Sequence, residues 1–328
     1  MKPFDYHVAT SPADAVATMA EHPRAVYLAG GTNLVDHMKL GVAEPDLLVD
    51  VSHLDLSEVV LIDGGLHIGA NVRNSDLAAH PIIRAQYPML ARALLSGASG
   101  QLRNAATTGG NLLQRTRCVY FQDITTPCNK RTPGSGCSAL GGYVRYHAIL
   151  GASPDCVAVH PSDMAVAMAA LDAVVVVEGA DGARRIPAAE FHRLPGDEPQ
   201  RDTVLHRGEL ITAVELPPPP SDAVSDYRKV RDRASYAFAL VSVAAELSFA
   251  DDIATARIAL GGVAHKPWRA RAAEQVLVGA PATEDVFTAA ADAELTAAEA
   301  LPGNEFKIEL TRRTLTAQLR MLTERGLR

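Results

Sequence analysis

Two glycine pairs, each with an asparagine one or two residues later, lie near the beginning and the end of the first third of this 328-residue chain. LAGGTNL occupies residues 28–34 and RNAATTGGNL occupies residues 103–112. Glycine lets backbone N–H groups approach an anion closely, and the start of a helix adds a partial positive charge. Each segment is also compatible with a plain tight turn, because short glycine motifs are common. Two such turns are suited to holding the two halves of a pyrophosphate.

Helix and strand signals alternate around these segments. Ser11–Pro12 is typical of a helix start, and Asp63–Gly65 predicts a hairpin between two apolar runs. A helix with Ser75 as its N-cap is predicted over residues 75–96. The long stretch from Ser99 to Val159 is predicted to be irregular, and such a loop is usually functional. Strands are predicted at 25–29, 47–51, 59–62, 66–70 and 173–178.

Four consecutive prolines at 217–220 mark the clearest boundary, because they can continue neither a helix nor an interior strand. Before them, Ser162–Asp163 predicts the start of a helix that ends near Leu171. Beyond them, 236–249 and 254–261 are predicted to be long strands, and the last helix is predicted at about 305–324. The predicted fold class is therefore α+β, in two domains.

The composition limits the classes of function. Hydrophobic residues make up 48% and charged residues 21%, which is typical of a globular protein with a sizeable core. The net charge of −7 argues against a nucleic-acid binder, which normally has a basic face. The apolar runs are far shorter than the ~20 residues that span a bilayer, so no membrane insertion is expected. The N-terminus MKPFDYHVATSP lacks the apolar part of a signal peptide, which predicts a cytoplasmic location or export with a signal-bearing partner.

All four cysteines fall within 39 residues, with the spacing C-x9-C-x8-C-x18-C. Disulfides would need an oxidising compartment, and unrelated buried thiols would not cluster. A metal site with four thiolate ligands is favoured, and the absence of a C-x2-C pair suits an iron–sulfur cluster at least as well as zinc. The four candidate ligands are Cys118, Cys128, Cys137 and Cys156. Three nearby basic residues are suited to offset a thiolate-rich site, namely Arg117, Lys130 and Arg131.

Together these motifs resemble a known family. LAGGTNL, RNAATTGGNL and PSDM at 161–164, before a helix ending in ALDA at 170–173, resemble the FAD-binding subunit of molybdenum hydroxylases. The family includes xanthine dehydrogenase, carbon monoxide dehydrogenase and aldehyde oxidoreductases. YRKVR at 227–231, followed by ASYA at 234–237, resembles the start of the family's C-terminal domain. The resemblance covers essentially the whole chain.

The resemblance implies a domain organisation. Residues 1–216 would form a two-part FAD-binding domain of the vanillyl-alcohol-oxidase (PCMH) type. Its N-terminal subdomain would cover about 1–55, and its larger subdomain, about 56–216, would carry the cysteine insertion at 115–158. A proline linker at 217–220 would lead to a C-terminal α+β domain of the CO dehydrogenase flavoprotein type at 221–328.

The cysteine segment resembles a subset of this family. QRTRC at 114–118, CNKRTPGSGC at 128–137 and the later Cys156 resemble members that bind an additional 4Fe-4S cluster. The type most similar in these residues is the FAD subunit of bacterial three-subunit aldehyde oxidoreductases. The resemblance implies that the four cysteines are the cluster ligands.

The resemblance also implies the contacts to FAD. The 28–34 turn and Asn111, with its neighbours, would bind the phosphates and ribitol, and Asp163 would hydrogen-bond a polar part of FAD. Leu210 or Ile211 would pack near the flavin, and Lys229 would reach the isoalloxazine region. Without the resemblance, Asp163 is simply an N-cap and Lys229 a strand-edge lysine. The implied set is Leu28, Ala29, Gly30, Gly31, Thr32, Asn33, Leu34, Thr107, Thr108, Gly110, Asn111, Ser162, Asp163, Leu210, Ile211 and Lys229.

The function that the resemblance implies is that of an oxidoreductase subunit for electron transfer. An aldehyde would be oxidised at a molybdenum cofactor on a large partner subunit. Electrons would pass through 2Fe-2S clusters on a small partner subunit, then through FAD here to a terminal acceptor, so no residue of this chain need act as a catalytic acid, base or nucleophile. Two other interpretations stay open. One is a non-enzymatic zinc or iron–sulfur module that binds a partner, and the other is a stand-alone flavin reductase.

Overall fold

The N-terminal subdomain contains a parallel three-stranded sheet in this computed structural model, which describes residues 1–326. The strands are β1 (Asp5–Val8), β2 (Ala25–Leu28) and β3 (Leu47–Asp50), in the order β1-β3-β2. The predicted helix start is confirmed, because α1 spans Pro12–Glu21 and the Ser11 hydroxyl accepts the Asp14 N–H at 3.0 Å. Helix α2 (Leu34–Lys39) follows the 28–34 turn. The sequence pattern does not predict β1, because three of its four residues are exposed.

The larger subdomain is built on an antiparallel five-stranded sheet. Its strands are β4 (Val59–Ile62), β5 (Gly65–Gly69), β6 (Val174–Gly179), β7 (Gly182–Pro187) and β8 (Leu210–Leu216), in the order β4-β5-β8-β6-β7. The predicted hairpin between β4 and β5 is confirmed. Asp63 and Gly64 have φ angles of 51° and 79°, as a type I′ hairpin turn requires.

The single helix predicted over 75–96 is wrong. This stretch forms three helices, α3 (Asn74–Ala79), α4 (Pro81–Gln86) and α5 (Pro88–Ser96). Proline lacks the N–H that a continuous helix needs, and at Pro81 and Pro88 it occupies the first position of a new helix instead. The N-cap of the first of the three is Arg73 rather than Ser75.

The irregular segment predicted over 99–159 is regular at its beginning. Helices α6 (Gly100–Ala105) and α7 (Thr108–Leu112) start there, because Ser99 and Thr107 accept backbone N–H groups as N-caps. A short α8 (Val119–Gln122) follows. Among the described residues, 123–162 contain no helix and no strand, and an isolated bridge pairs Cys128 with Cys137.

The C-terminal domain pairs four antiparallel strands with three helices. The strands are β9 (Val224–Val230), β10 (Val241–Phe249), β11 (Ile253–Gly261) and β12 (Trp268–Arg269), in the order β12-β11-β10-β9. The helices are α11 (Arg271–Leu277), α12 (Glu284–Leu295) and α13 (Phe306–Gly326). The strand predicted over 236–249 starts only at Val241, because 236–240 form a loop in which Tyr236 has a φ of 51°.

One buried helix joins the two domains. All eight residues of α9 (Asp163–Ala170) are buried, and the predicted cap is confirmed by the Ser162 hydroxyl, which accepts the Ala165 N–H at 2.9 Å. The helix packs against α5 on one side and against β10 and β11 on the other. Its first residue is therefore held between the domains. The remaining helix is α10 (Ala188–Phe191). None of the helices described, up to residue 326, is long and apolar enough to cross a membrane.

Candidate functional site

A cavity of about 660 Å³ lies where the N-terminal subdomain, the larger subdomain and the C-terminal domain meet. We call it the central cavity. Seven of the sixteen residues predicted to contact FAD line it, namely Thr32, Asn33, Gly110, Asn111, Ser162, Asp163 and Lys229. The other nine do not line it, namely Leu28, Ala29, Gly30, Gly31, Leu34, Thr107, Thr108, Leu210 and Ile211.

The 28–34 turn carries unpartnered backbone donors. Among the described residues, the N–H groups of Gly30, Gly31, Thr32 and Asn33 donate to no protein acceptor. Gly31 has a φ of 69°, which favours glycine. The Asn33 side chain accepts the backbone N–H of Arg115 at 2.9 Å, which ties the turn to the start of the cysteine segment. Four adjacent amides at the edge of a cavity are suited to bind an anion.

Gly30 is required for a different reason. A Cβ at this position would overlap the carbonyl group of Ala105, at the end of α6. The two subdomains touch backbone to backbone at this point, and only glycine permits the contact. The contact holds the unpartnered amides of the turn against the larger subdomain.

Most backbone donors of the second glycine turn already have protein acceptors. The N–H groups of Thr108 and Gly109 donate to Val72 and Ala70 carbonyls at 2.9 Å, and that of Gly110 donates to the Thr107 hydroxyl at 3.1 Å. The Asn111 N–H donates to the Thr107 carbonyl at 2.8 Å, whereas the Thr107 N–H has no protein acceptor among the described residues. Contact between this turn and a phosphate of FAD stays a prediction.

The side chain of Asn111 is the polar centre of the cavity wall near this turn. Its Nδ2 donates to Asn74 Oδ1 at 2.7 Å, and its Oδ1 accepts from the Ser162 hydroxyl at 2.5 Å and from Gln114 Nε2 at 2.9 Å. The network joins α3, α7 and the start of α9. Asn74 and Gln114 also line the cavity, and the sequence patterns do not single them out.

Asp163 and Lys229 form a buried ion pair across the domain boundary. Lys229 Nζ donates to Asp163 Oδ2 at 2.8 Å and to the Ser96 carbonyl at 3.0 Å, and the Tyr227 hydroxyl donates to Asp163 Oδ1 at 2.5 Å. The two charged side chains are only 4% and 8% exposed. Burial, together with the charge of Asp163, raises the pKa of Tyr227 well above its usual value. The pair thus fixes the C-terminal sheet against the cavity wall.

Leu210 and Ile211 belong to hydrophobic cores rather than to the cavity. Leu210 packs with the N-terminal subdomain, and Ile211 packs in the core of the larger subdomain. Both are at most 5% exposed. Ile211, in β8, packs against the 107–112 turn. Its Cβ lies 3.6 Å from the position that a Cβ on Gly109 would occupy.

Arg117 is an unpaired cation in the cavity wall. Its Nε is buried without a hydrogen-bond partner among the described residues, and its guanidinium lies 5.1 Å from the centre of the Phe238 ring. Burial lowers its pKa, although Asp36 acts in the opposite direction. The sequence pattern groups Arg117 with the cysteines, whereas the structure places it in the wall of the central cavity.

The four cysteines line a second, small cavity, which we call the thiol cavity. All four are free thiols. Burial raises the pKa of Cys118 and of Cys156 to about 11, and backbone N–H groups act against this shift at both. Within residues 1–326, no three or more His, Cys, Asp or Glu side chains are grouped as the ligands of a metal ion. The thiols thus surround a common space without converging on one point.

A buried lysine adjoins the thiol cavity. Lys130, whose side chain is 1% exposed, donates from Nζ to the Pro199 carbonyl at 2.7 Å and pairs with Asp202. Arg115 Nε also donates to Asp202, at 2.7 Å. Burial acts to raise the pKa of Asp202, but the charges of Arg115 and Lys130 outweigh it and hold that pKa well below its usual range. Lys130 also acts to lower the pKa of Cys156.

The central and thiol cavities share a wall. Thr116, Cys118 and His147 line both. His147 Nε2 lies 3.2 Å from Cys118 Sγ. Burial, aided by the charge of Lys307, lowers the pKa of His147 to about 4. The sequence patterns do not single out His147, because it lies in a segment without helix or strand periodicity.

Residues 2–219 match the family described as the FAD binding domain in molybdopterin dehydrogenase, and residues 225–320 match the CO dehydrogenase flavoprotein C-terminal domain. The chain belongs to this FAD-binding family. The FAD-binding subunit PaoB of an aldehyde oxidoreductase from Escherichia coli K12 is 54% identical over 322 residues, which are 97% of this chain and 98% of that protein.

More distant relatives share the fold. The glyceraldehyde dehydrogenase medium chain of Sulfolobus acidocaldarius is 28% identical over 86% of this chain and 84% of its own length. A carbon monoxide dehydrogenase structure from Hydrogenophaga pseudoflava superposes with a TM-score of 0.78 and 26% identity, covering 99% of this chain and 98% of that one. The predicted family, the α+β fold class, FAD binding and the assignment as an oxidoreductase subunit are confirmed. The non-enzymatic module is therefore not retained, and the 4Fe-4S cluster stays a prediction.

Proposed function

We propose that this chain is the FAD- and 4Fe-4S-containing electron-transfer subunit of a molybdenum-dependent aldehyde oxidoreductase. It would receive electrons from 2Fe-2S clusters of a small partner subunit and deliver them to a terminal acceptor. The aldehyde would be oxidised on a large partner subunit that carries the molybdenum cofactor. The observation that carries the proposal is the pairing of the central cavity with a four-thiol cavity behind one shared wall.

The central cavity fits FAD. The unpartnered amides of the 28–34 turn supply hydrogen-bond donors for a pyrophosphate. The Arg117 guanidinium, whose Nε has no partner among the described residues, supplies a positive charge. The Asn111 side chain is suited to a ribitol hydroxyl. Bound FAD supplies the ability to exchange electrons singly or as a pair. The chain would position it among the three structural units whose residues line the cavity.

The donor chemistry of the thiol cavity fits an iron–sulfur cluster. Four free cysteines around a common space match the ligand set of a 4Fe-4S cluster. Lys130 supplies buried positive charge beside the cavity.

The substrate class and the partners rest on similarity. The 54% identical relative is named as the FAD-binding subunit of an aldehyde oxidoreductase, and the lengths of the two chains correspond almost fully. Other relatives are named as medium chains of dehydrogenases, which supports assembly with a large and a small subunit.

The cofactor content of anaerobically purified protein tests the proposal. We expect one FAD and about four iron and four sulfide atoms per chain. Protein that contains FAD but no iron would refute the 4Fe-4S cluster and leave the assignment as an FAD-binding subunit unchanged. In the assembled complex, an aldehyde is expected to bleach the flavin absorption anaerobically. Bleaching by purines or carbon monoxide, but not by aldehydes, would overturn the substrate class.

Arg117→Met is expected to raise the Kd for FAD about tenfold, because it removes one charge-assisted contact to an anion. The increase should be larger at low ionic strength, where screening is weaker. FAD titration followed by flavin fluorescence measures it. Arg313→Met is the matched control, since that side chain is 77% exposed on α13 and should leave the Kd unchanged. Equal Kd values for the two variants would exclude Arg117 from the FAD site.

Cys128→Ala is expected to lower the iron content well below four atoms per chain while leaving one FAD per chain. The substitution removes one of four thiolate ligands and offers no other donor, and Cys128 does not line the central cavity. Iron and flavin assays on the same sample measure both quantities. Thr125→Ala, an exposed change in the same segment, should keep both cofactors. Full iron content in Cys128→Ala would refute ligation by Cys128.

A further inference from the structure

One side chain in the wall between the central cavity and the thiol cavity, that of His147, contacts the sulfur of a cysteine. His147 Nε2 lies 3.2 Å from Cys118 Sγ, and the His147 residue is only 4% exposed. Cys118 is the one cysteine of the four that lines both cavities. The contact therefore lies at the cysteine closest to the proposed flavin site.

The C-terminal domain holds His147 in place. The backbone carbonyl of His147 accepts hydrogen bonds from Lys307 Nζ at 2.7 Å and from Asn304 Nδ2 at 3.3 Å. The His147 N–H donates to the Val144 carbonyl at 2.8 Å. Lys307 and Asn304 are themselves fully buried. These backbone contacts position a residue that lies in a segment without regular structure.

The ring has a single side-chain partner. Its Nδ1 is buried without a hydrogen-bond partner among the described residues, and its Nε2 lies against Cys118 Sγ. A thiolate sulfur accepts hydrogen bonds and cannot donate one, so Nε2 must carry the proton when Cys118 is a thiolate. Lys130, a second buried group beside the cavity, donates to the Pro199 carbonyl and to Asp202 rather than to a cysteine.

We propose that His147 is a positioning residue that donates a hydrogen bond to the Cys118 thiolate and thereby raises the reduction potential of the cluster. The inference rests on the cluster of the proposed function. Hydrogen bonds to ligand sulfur stabilise the more negative, reduced state relative to the oxidised one. A donor on the side that faces the flavin would thus make the cluster easier to reduce.

A redox titration followed by electron paramagnetic resonance tests this inference on the full chain. His147→Phe removes the donor and keeps a planar ring, whereas His147→Gln keeps an N–H. At the wild-type midpoint potential, the ratio of reduced to oxidised cluster should fall about tenfold in His147→Phe, which is a shift of 59 mV for a one-electron couple. His147→Gln should stay close to the wild type.

The outcomes separate the two proposals. Unchanged potentials in both variants, with four irons per chain, would overturn the role of His147 and leave the cluster. Iron-free wild-type protein would overturn the cluster and the inference together. If His147→Phe loses its iron or does not fold, wild-type protein with ¹⁵N-labelled histidine should show a nitrogen coupling to the reduced cluster, and its absence would refute the hydrogen bond.

Discussion

Gly30→Ala is expected to remove FAD from the purified protein and to destabilise it by about 3 kcal/mol. The added Cβ would overlap the carbonyl group of Ala105 and lie 3.1 Å from the Cα of Ala106. All of these are backbone atoms, so no side-chain rotation relieves the overlap. The 28–34 turn must move away from α6, and its unpartnered amides move with it.

The FAD-to-chain ratio and urea unfolding measure the two effects. Gly100→Ala is the matched control, because Gly100 is the first residue of α6 and a Cβ there meets nothing within 4 Å. That control should keep its FAD and be neutral or slightly more stable, by up to about 1 kcal/mol. Normal FAD content and an unchanged urea midpoint in Gly30→Ala would show that the backbone contact does not hold the turn.

Gly30 also shows which features of the turn could be predicted from the sequence and which could not. The pattern of strand, glycine pair, asparagine and helix is local, and it correctly marks the turn between β2 and α2. The reason for Gly30 is not local, since Ala105 is 75 positions away along the chain. The second turn makes the same point, because it also has a glycine pair close to an asparagine, but its N–H groups from Thr108 to Asn111 all have protein acceptors. Similar motifs therefore differ in the hydrogen bonding of their backbones, which only the tertiary structure reveals.

Local signals predicted the caps and hairpins well and the long elements less well. The caps and the hairpin turn depend only on residues a few positions away, so the local sequence predicts them. They lie at Ser11, Ser162 and Asp63–Gly64. The single helix predicted over 75–96 is wrong because Pro81 and Pro88 each start a new helix. Arg117 and His147 lie in the irregular segment, where no periodicity indicates which way a side chain points. Their positions depend on contacts with Phe238 and Lys307, which belong to the other domain.

Asp202→Ala is expected to destabilise the protein by about 3–5 kcal/mol, because it leaves a buried charge without its partner. Lys130 is 1% exposed, and its remaining contact is the Pro199 carbonyl. Arg115 loses the same carboxylate. The loss should also loosen the wall of the thiol cavity, since Lys130 lies in it.

The destabilisation caused by Asp202→Ala should decrease at low pH. The pKa of Asp202 is held well below its usual range, so its contribution to stability is present above the unfolded-state pKa of about 3.9 and is lost as the pH falls. Urea unfolding should therefore show the full difference between wild type and Asp202→Ala at pH 7. The difference should shrink below about pH 4, because the carboxylate takes up a proton in the unfolded chain before it does so in the folded protein.

A control at an exposed aspartate with two basic partners separates the effect of burial from that of the number of ion pairs. Asp46 pairs with Lys2 and Arg24 at the surface, where its side chain is 46% exposed. Asp46→Ala removes as many ion pairs as Asp202→Ala, but water solvates the cations left behind, so the urea midpoint should hardly change. If both variants lost the same stability, the number of ion pairs would matter and the burial of Lys130 would not. A large loss confined to Asp202→Ala would instead show that the carboxylate is needed because Lys130 is buried beside the four thiols.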